Sequence, residues 1–229
     1  QGYLRAVEQC NGSGDCRKTA SAKGGMCPSY HASLDEKDTT RARANALRMF
    51  MTQQSESEAF NQKEVVDALD LCLSCKACAS ECPSNVDMST LKAEYLFQFQ
   101  EQNGYSMRSR FFAYSTQLNR LAAFTPTLSN ALLKGPLSVL LKKGLGIAKK
   151  RSLPKVHAFN YRSYYAFLKK PDTVQQEIVL YIDEFTRYLD TSLLKASIDV
   201  LNSLGYGLHL VYAESGRSFL SNGFLKQAK

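Results

Sequence analysis

The sequence predicts a mainly α-helical protein that ends in the start of a small α/β unit. Apolar residues recur at helical spacing over most of the chain, and Gly or Pro interrupts them repeatedly between residues 104 and 154. After Pro171 the pattern changes, because β-rich runs at 177–182 and 208–212 flank a helical stretch at 192–204. A strand, a helix and a second strand in this order predict a βαβ half-unit.

Helices are also predicted around the cysteine-containing segments. Residues 1–31 are rich in Gly, Ser and Lys and are expected to form irregular backbone. Ser33 and Glu36 have the spacing of a capping box, so a helix is expected to begin near Ser33. Pro83 is expected to end the helical path there, because it lacks an N–H group. The predicted helices run over 33–54, 61–72 and 89–102.

Composition and charge restrict the class of protein. The chain has 229 residues, of which 44% are hydrophobic, so a folded globular core is expected. No run is long and apolar enough for a membrane-spanning helix. The net charge is +8, and thirteen Lys and Arg but no acidic residue lie between Glu101 and Asp172. Because the chain begins at Gln1 and ends inside the α/β pattern, we expect a piece of a longer polypeptide.

Seven cysteines form two groups in the first 82 residues. The first group is Cys10, Cys16 and Cys27, and the second is Cys72, Cys75, Cys78 and Cys82. A disulfide framework favours an even number of cysteines in a small secreted chain, whereas clustered spacings in a chain of this length favour metal. The cysteines are therefore interpreted as metal ligands.

The second group has the spacing of an iron–sulfur motif. Its cysteines are separated by two, two and three residues, and Pro83 follows the last of them. Three thiolates in a tight loop can bind three corners of a cubane cluster. In two-cluster ferredoxins the cysteine before the proline binds the other cluster, so this run predicts a partner run elsewhere in the chain.

The first group is that partner in altered form. Ser13 occupies the middle position between Cys10 and Cys16, and Cys27 precedes Pro28 after a longer loop. By the crossover rule, one complete [4Fe-4S] site is assigned to Cys27, Cys72, Cys75 and Cys78. The second site is assigned to Cys10, Cys16 and Cys82, and it is one thiolate short.

Three interpretations of the incomplete site remain open. It can hold a [3Fe-4S] cluster, it can hold a [4Fe-4S] cluster whose last iron takes Ser13, water or another ligand, or it can be empty in the isolated fragment. Serine oxygen is a harder donor than thiolate and would be an unusual iron ligand. We favour a cluster over an empty site, because Cys82 would otherwise have no role.

Structural zinc is the alternative interpretation of the same cysteines. Zinc ribbons also use pairs of cysteines two residues apart. The third and fourth cysteines of the second group exceed what one tetrahedral ion needs, which disfavours zinc. If zinc were bound, the chain would be a metal-stabilised, non-redox binding module whose basic face docks a partner.

The cysteine segments and the C-terminus resemble a known family. The stretches 10–18, 24–48, 67–96 and 214–229 are similar to the C-terminal part of bacterial FAD-linked oxidases. These are fusions of a flavin-binding 2-hydroxy-acid dehydrogenase, of the D-lactate or glycolate oxidase kind, to an iron–sulfur module. That module is related to the iron–sulfur subunit of anaerobic glycerol-3-phosphate dehydrogenase. Ser13 departs from the family pattern, which has cysteine at this position.

The resemblance implies a domain division. Residues 1–105 are expected to form an all-helical two-cluster ferredoxin domain, and 106–171 a basic helical connector. Residues 172–229 are expected to form the first half of an α/β cysteine-rich domain. Tyr30, His31, Arg41 and Arg43 lie in the matching stretch, where they are expected to pack near the first cysteine loop as structural hydrogen-bond donors.

The resemblance also implies a function for the parent protein. Electrons would pass from a 2-hydroxy acid to FAD in a domain of the same polypeptide, then through the clusters to a quinone or a redox protein. This chain would be one part of an oxidoreductase and, without the flavin, would not oxidise the substrate alone. It contains no residue to which we assign catalysis. The expected location is the cytoplasm, with peripheral contact at the inner face of the membrane left open.

Charged and aromatic residues outside the motifs have less specific meaning. Lys76, Arg17 and Lys18 lie near the ligands and either raise the cluster potentials or are solvated loop charges. The basic window at 106–170 is interpreted first as core with a docking face and second as a membrane surface. We do not expect nucleic-acid binding. His157, His209, Asp183, Glu184 and Arg217 are assigned no chemistry.

Overall fold

The computed structural model describes residues 2–19, 21, 23–53, 63–171 and 173–229. The chain divides into two compact units, which are described separately. The first unit comprises residues 1–106 together with 219–229, and the second comprises 107–218. The three-part division expected from the sequence stays a prediction. No helix in the described ranges is both long and apolar enough to cross a bilayer.

The first unit is built of helices around the cysteine segments. Up to Ser106 its helices are α1 (Tyr3–Glu8), α2 (Pro28–Ser33), α3 (Thr40–Gln53), α4 (Lys63–Asp70), α5 (Ala77–Glu81) and α6 (Met88–Asn103). Short 3-10 turns occur at Asp15–Arg17 and Glu36–Asp38. The helix predicted over 61–72 corresponds to α4, and residues 61 and 62 lie outside the described residues. The helix predicted over 89–102 corresponds to α6.

The core of the first unit joins the faces of α1, α3, α4 and α6. Phe50 on α3 contacts Tyr95 on α6 edge to face, with ring centroids 5.5 Å apart. Both side chains are fully buried. The same core cluster includes Cys16, Cys27 and Cys78, and the half-buried Cys10, Cys72 and Cys82 pack against it. These six cysteines thus lie in or against the hydrophobic core, whereas Cys75 is exposed.

Two expectations about the N-terminal segment are wrong. Residues 1–31 are not irregular throughout, since they contain α1 and most of α2. The helix expected from Ser33 begins only at Thr40. Ser33 instead ends α2, because Leu34 takes a left-handed conformation with φ +56°. Asp35 then accepts a hydrogen bond from Lys37 N and starts the 3-10 turn, so local side-chain capping outweighs the helical pattern.

The C-terminal segment returns to the first unit. It consists of the end of α14 (Arg217–Ser221) and α15 (Leu225–Ala228). Asn222 O accepts a hydrogen bond of 2.8 Å from Gln100 Nε2 on α6. Gly223 has φ +74°, and a Cβ there would lie 2.7 Å from Leu96 Cβ, so only glycine fits this close approach.

The second unit contains the basic helices and the α/β pattern. Its elements are α7 (Met107–Ala113), α8 (Ser115–Ala122), α9 (Pro126–Lys134), α10 (Pro136–Gly144), α11 (Tyr161–Phe167), β1 (Gln176–Ile182), α12 (Glu184–Tyr188), α13 (Thr191–Ser203) and β2 (Tyr206–Tyr212). Pro126 and Pro136 are the first residues of α9 and α10, where a missing N–H costs nothing. These prolines separate the helices as predicted.

The predicted βαβ half-unit is present. β1 and β2 pair in parallel, with Gln176 opposite Tyr206 and Ile182 opposite Tyr212. α12 and α13 lie in the connection between them, and the buried face of α13 includes Leu194 and Ile198. The observed proportion of helix, with this two-stranded sheet, confirms the mainly α fold class.

Several polar residues near the sheet have structural partners. Asp183 caps α12 by accepting from Thr186 N at 2.7 Å. Arg217 pairs with Asp183, and its Nε lies 3.5 Å from Glu184 Oε1. His209 Nε2 lies 3.1 Å from Glu177 Oε2 on the neighbouring strand. These contacts hold the strand ends and turns together.

Candidate metal centre

Cys72 and Cys75 lie in the tight loop between α4 and α5, and Cys78 is the second residue of α5. Ser74 and Lys76 both take left-handed conformations, with φ of 52° and 63°. Left-handed non-glycine residues are uncommon and occur where the surrounding structure determines the backbone. Cys72 N donates to Leu69 O at 3.1 Å, which anchors the loop to the end of α4. Cys72 is half-buried, Cys75 is exposed and Cys78 is buried.

Four cysteines line one cavity. Cys27 lies on the same cavity as Cys72, Cys75 and Cys78, although a long stretch of sequence separates it from them. The other lining residues are Pro28, Ser29, Thr40, Arg43, Leu73, Ser74, Lys76, Met88 and Ser89. All seven cysteines of the chain are free thiols. In the described ranges no three His, Cys, Asp or Glu side chains have the close grouping of a single-ion site.

The N-terminus of α3 is directed at the sulfur of Cys27. Thr40 N donates to Cys27 Sγ at 3.0 Å, and Thr40 Oγ1 lies 2.9 Å from the same sulfur. Thr40 is the first residue of α3, so its N–H is one of the donors that the helix itself cannot satisfy. The positive end of the helix dipole therefore favours negative charge on this sulfur.

The next donor of α3 reaches a cysteine of the first group. Arg41 N donates to Cys16 Sγ at 3.4 Å. Cys16 and Cys27 also interact electrostatically in the structure. One helix terminus thus supplies neighbouring N–H groups to two cysteines that the sequence assigns to different sites. Nothing in the local sequence pattern indicates this arrangement.

Burial affects the protonation of two of the thiols. Burial raises the pKa of Cys27, and the hydrogen bonds from Thr40 only partly oppose it. Burial also raises the pKa of Cys78, against a backbone hydrogen bond from Met88. Both thiols are therefore protonated at neutral pH in the metal-free chain, and metal binding must release their protons.

A buried ion pair borders the cavity. Arg43 and Asp38 are almost fully buried, and Arg43 Nη2 lies 3.6 Å from Asp38 Oδ1. Arg43 also donates to Ala68 O at 2.8 Å and to Ser29 Oγ at 3.0 Å. A buried guanidinium is tolerated when its donors are satisfied in this way. Arg43 places positive charge beside the four thiols and is a structural hydrogen-bond donor near Cys27, as expected from the sequence.

Lys92 supports the second cysteine loop from α6. Its Nζ donates to Leu69 O at 2.8 Å and to Cys72 O at 2.7 Å. Burial lowers the pKa of this lysine. The side chain satisfies carbonyls at the end of α4 that the helix leaves without partners. Lys92 is thus a supporting residue that the cysteine pattern does not reveal.

The first cysteine loop is held by an arginine pair. Cys10 follows α1, and Gly12 and Gly14 take left-handed conformations with φ of 79° and 84°. Arg41 Nη1 donates to Gly12 O at 3.4 Å, as expected for a structural donor. Glu36 accepts from Arg41 and also pairs with Arg17 at 2.9 Å.

Ser13 and Cys82 complete the set of sequence-predicted site residues. Ser13 is exposed between the two glycines, and its N–H donates to Asn11 Oδ1 at 3.1 Å. Cys82 is half-buried and extended after α5, where Pro83 ends the helix. Its neighbour Glu81 accepts from Gly25 N at 2.8 Å, so the two Cys-Pro segments lie side by side. That backbone hydrogen bond is the main cause that lowers the pKa of Glu81.

The comparisons with known proteins identify the class of this region. Residues 9–87 match the family model of the 4Fe-4S dicluster domain, so this segment is similar to that family. It contains all seven cysteines. This part of the first unit is therefore similar to an iron–sulfur module with two cysteine groups.

Relatives extend the similarity to the whole chain. The chain is 26% identical over 98% of its length to D-2-hydroxyglutarate dehydrogenase of Pseudomonas putida, of which it covers 26%. It is 22% identical over 97% of its length to the Escherichia coli protein of the same name, of which it also covers 26%. The chain thus spans about a quarter of the length of these curated relatives. No solved structure matches it.

These similarities confirm the resemblance found in the sequence. The relatives are named dehydrogenases of a 2-hydroxy acid, and the matching family is an iron–sulfur domain. The chain is therefore similar to the iron–sulfur part of a 2-hydroxy-acid dehydrogenase. The assignment of individual cysteines to clusters stays a prediction.

Proposed function

We propose that this chain is the electron-transfer module of a FAD-dependent 2-hydroxy-acid oxidoreductase. Two iron–sulfur clusters bound by the first unit would relay single electrons from the flavin to an acceptor. The observation that supports this most is the cavity shared by Cys27 with Cys72, Cys75 and Cys78. The crossover spacing of two-cluster ferredoxins predicts the same four residues as ligands of one cluster.

The residues around this cavity fit a [4Fe-4S] cluster. Four thiols can supply its four corners, and Thr40 donates to the sulfur of Cys27. Arg43 offsets part of the negative charge of a thiolate-bound cluster. When bound, such a cluster carries one electron at a time. Cys75 is the exposed member of the four, so electrons would enter or leave most easily on its side.

We assign the second cluster to Cys10, Cys16 and Cys82. All three lie in or against the core cluster that also contains the first set of cysteines. With one thiolate fewer, the site would hold a [3Fe-4S] cluster or a [4Fe-4S] cluster with a different fourth ligand. Ser13 lies in the loop between Cys10 and Cys16, where the fourth thiolate would otherwise stand. The neighbouring donors Thr40 N and Arg41 N would place the two clusters on either side of the start of α3.

The parent protein would supply the remaining parts of the reaction. A FAD-binding domain of the same polypeptide would oxidise the hydroxy acid, and the names of the relatives make D-2-hydroxyglutarate the proposed substrate. The acceptor would be a quinone or a redox protein. We propose a cytoplasmic location, with the basic segment 106–170 able to contact the inner face of the membrane.

Anaerobic purification of this chain tests the proposal directly. We expect a brown protein that contains iron and acid-labile sulfide and whose visible absorption bleaches with dithionite. Electron paramagnetic resonance of the oxidised and reduced protein would then distinguish three-iron from four-iron clusters. A colourless protein that contains zinc in place of iron would overturn the proposal and support a metal-stabilised binding module.

A further inference from the structure

A cleft in the second unit lies beside the carboxyl end of its parallel strands. Two adjoining hollows of about 400 and 390 Å³, both open to solvent, share the residues Arg120, Asn160, Arg187 and Tyr188. Tyr212, the last residue of β2, also lines the first hollow. In α/β folds ligands bind outside the carboxyl ends of parallel strands, so the location is a favourable one for a ligand site.

The first hollow has a strongly basic lining. Arg120, Arg162 and Arg187 contribute to it, and Glu214 is the acidic residue among those that line it. In the described part of the chain, none of the three arginines has a carboxylate at salt-bridge distance. Three guanidinium groups around one hollow favour an oxyanion, which arginine binds with paired hydrogen bonds.

Arg187 is held rigidly in this lining. Its guanidinium lies 4.9 Å from the ring centre of Tyr161 and 5.2 Å from that of Tyr188. It also donates a hydrogen bond to Phe159 O. A stacked guanidinium loses little conformational freedom when a ligand binds, which favours affinity.

A buried hydroxyl group adds a polar contact to the first hollow. The hydroxyl of Tyr212 is shielded from solvent and interacts with the side chain of Tyr188, which also lines this hollow. A ligand atom that accepted a hydrogen bond from this pair would offset part of the cost of burying the two hydroxyl groups. The nearby carboxylates of Asp183 and Glu184 interact instead with Arg217 and do not cancel the positive charge of the arginines.

The second hollow has a different, apolar character on its far side. Its lining includes Ala123, Phe124, Ala158 and Phe159. Phe124 is 78% exposed, so its ring offers apolar surface to a ligand in this hollow. A ligand that spans both hollows would therefore meet positive charge at one end and apolar surface at the other.

We propose that this cleft binds a small amphiphilic organic acid. Its carboxylate or phosphate head would interact with Arg120, Arg162 and Arg187, and its apolar part would cover Phe124 and Phe159. The proposal concerns the second unit and does not depend on the clusters of the first. It assigns this cleft a ligand of its own, separate from the electron-transfer role.

Calorimetric titration of the full 229-residue chain tests the proposal with octanoate, octyl phosphate and inorganic phosphate. We expect both amphiphiles, kept below their micelle concentrations, to bind at one site per chain. Inorganic phosphate should bind at least about tenfold more weakly, because it lacks the apolar part. Arg120→Gln and Arg162→Gln should each weaken the binding of both amphiphiles by about tenfold, since each removes a charge-assisted contact.

Two further variants separate specific binding from general attraction to positive charge. Arg151→Gln removes the same charge from an exposed position outside both hollows and should leave the affinities unchanged. Phe124→Ser should weaken octanoate and octyl phosphate about fivefold and leave inorganic phosphate unaffected. Equal losses in the Arg120, Arg162 and Arg151 variants, equal affinity for phosphate and octyl phosphate, or no binding of any probe would each overturn the proposal.

Discussion

The two cysteine loops of the first unit have related sequences but different supports. Cys72 and Cys75 lie in the loop between α4 and α5, and Cys78 lies in the first turn of α5. Lys92 binds the backbone of this loop from α6. The loop from Cys10 to Cys16 contains two glycines and an exposed serine and is held mainly by exposed or half-buried ion pairs. Exposed ion pairs contribute little to stability. Related spacing has therefore produced one well-supported site and one weakly supported site.

The two sites also differ in the hydrogen bonds that they receive from the start of α3. Cys27 receives two contacts from Thr40, at 2.9 and 3.0 Å, whereas Cys16 receives one contact of 3.4 Å from Arg41 N. Shorter and more numerous hydrogen bonds stabilise a thiolate more strongly. We therefore expect the cluster assigned to Cys27 and its partners to be the more stable of the two.

The largest effect is expected from Cys27→Ala. If Cys27 binds the cluster of Cys72, Cys75 and Cys78, this variant should lose roughly half of the iron and the spectrum of the better supported site. The signal of the Cys10, Cys16 and Cys82 site should remain. Iron analysis and paramagnetic resonance of the anaerobic protein measure both quantities.

The opposite outcome for Cys27→Ala would reveal a different ligand arrangement. If the variant kept the four-iron signal and lost the other, Cys27 would belong with its own sequence neighbours and the crossover assignment would be wrong. Cys82→Ala is the reciprocal experiment and should spare the complete site. Ser80→Ala, which removes an exposed hydroxyl that donates to Ala77 O, is a control for changes near this loop.

Ser13→Cys should remove the difference in ligand number between the two sites. The new thiol would give the first loop the full cysteine spacing, and Gly12 and Gly14 keep the left-handed conformations that the loop needs. We expect the second site to become a four-thiolate [4Fe-4S] site, so any three-iron signal of the oxidised protein should disappear. Ser21→Cys adds an exposed thiol elsewhere and should change nothing. An unchanged spectrum in Ser13→Cys would mean that residue 13 does not bind the fourth iron of the second cluster.

Thr40→Val tests the contribution of the α3 terminus. The variant keeps the N–H donor and removes the hydroxyl 2.9 Å from Cys27 Sγ. Hydrogen bonds to cluster sulfur stabilise the reduced state, so the reduction potential of the complete site should fall by about 50 mV. Thr52→Val removes an exposed hydroxyl near the other end of α3 and should leave the potential unchanged. Equal shifts of both clusters in a redox titration would contradict a local effect.

The sequence predicted those features of the molecule that are determined by residues close together in the chain. The cysteine spacing, the stop at Pro83 and the two strands around α13 are local patterns, and the fold class is confirmed. The error in the predicted start of α3 also comes from a local pattern. A capping-box spacing at Ser33 was a reasonable prediction, but the left-handed Leu34 and the Asp35 turn delayed the helix to Thr40.

The supporting residues of the site could not be predicted in this way. Lys92 reaches Cys72 O, and Arg43 reaches Ala68 O, across long stretches of sequence. Such contacts are decided by how helices pack, and single lysines or arginines on a helix ordinarily face solvent. The N–H donors of α3 are backbone groups, so the residue types of the sequence do not predict them. The sequence therefore predicts the candidate metal ligands, but it does not predict the side chains and backbone donors that support them.

The smallest effect is expected from the lysine beside the complete site. Lys76 lines the cavity, but its side chain is 65% exposed and its Nζ lies 3.6 Å from Asp87 Oδ2. Solvent screening and this carboxylate offset most of its positive charge, so Lys76→Gln should lower the potential by only about 10 mV. Lys18→Gln is the matched change near the first loop, where Glu81 lies 3.8 Å away. A shift as large as that of Thr40→Val would show that side-chain charge, and not the start of α3, controls the difference between the two sites.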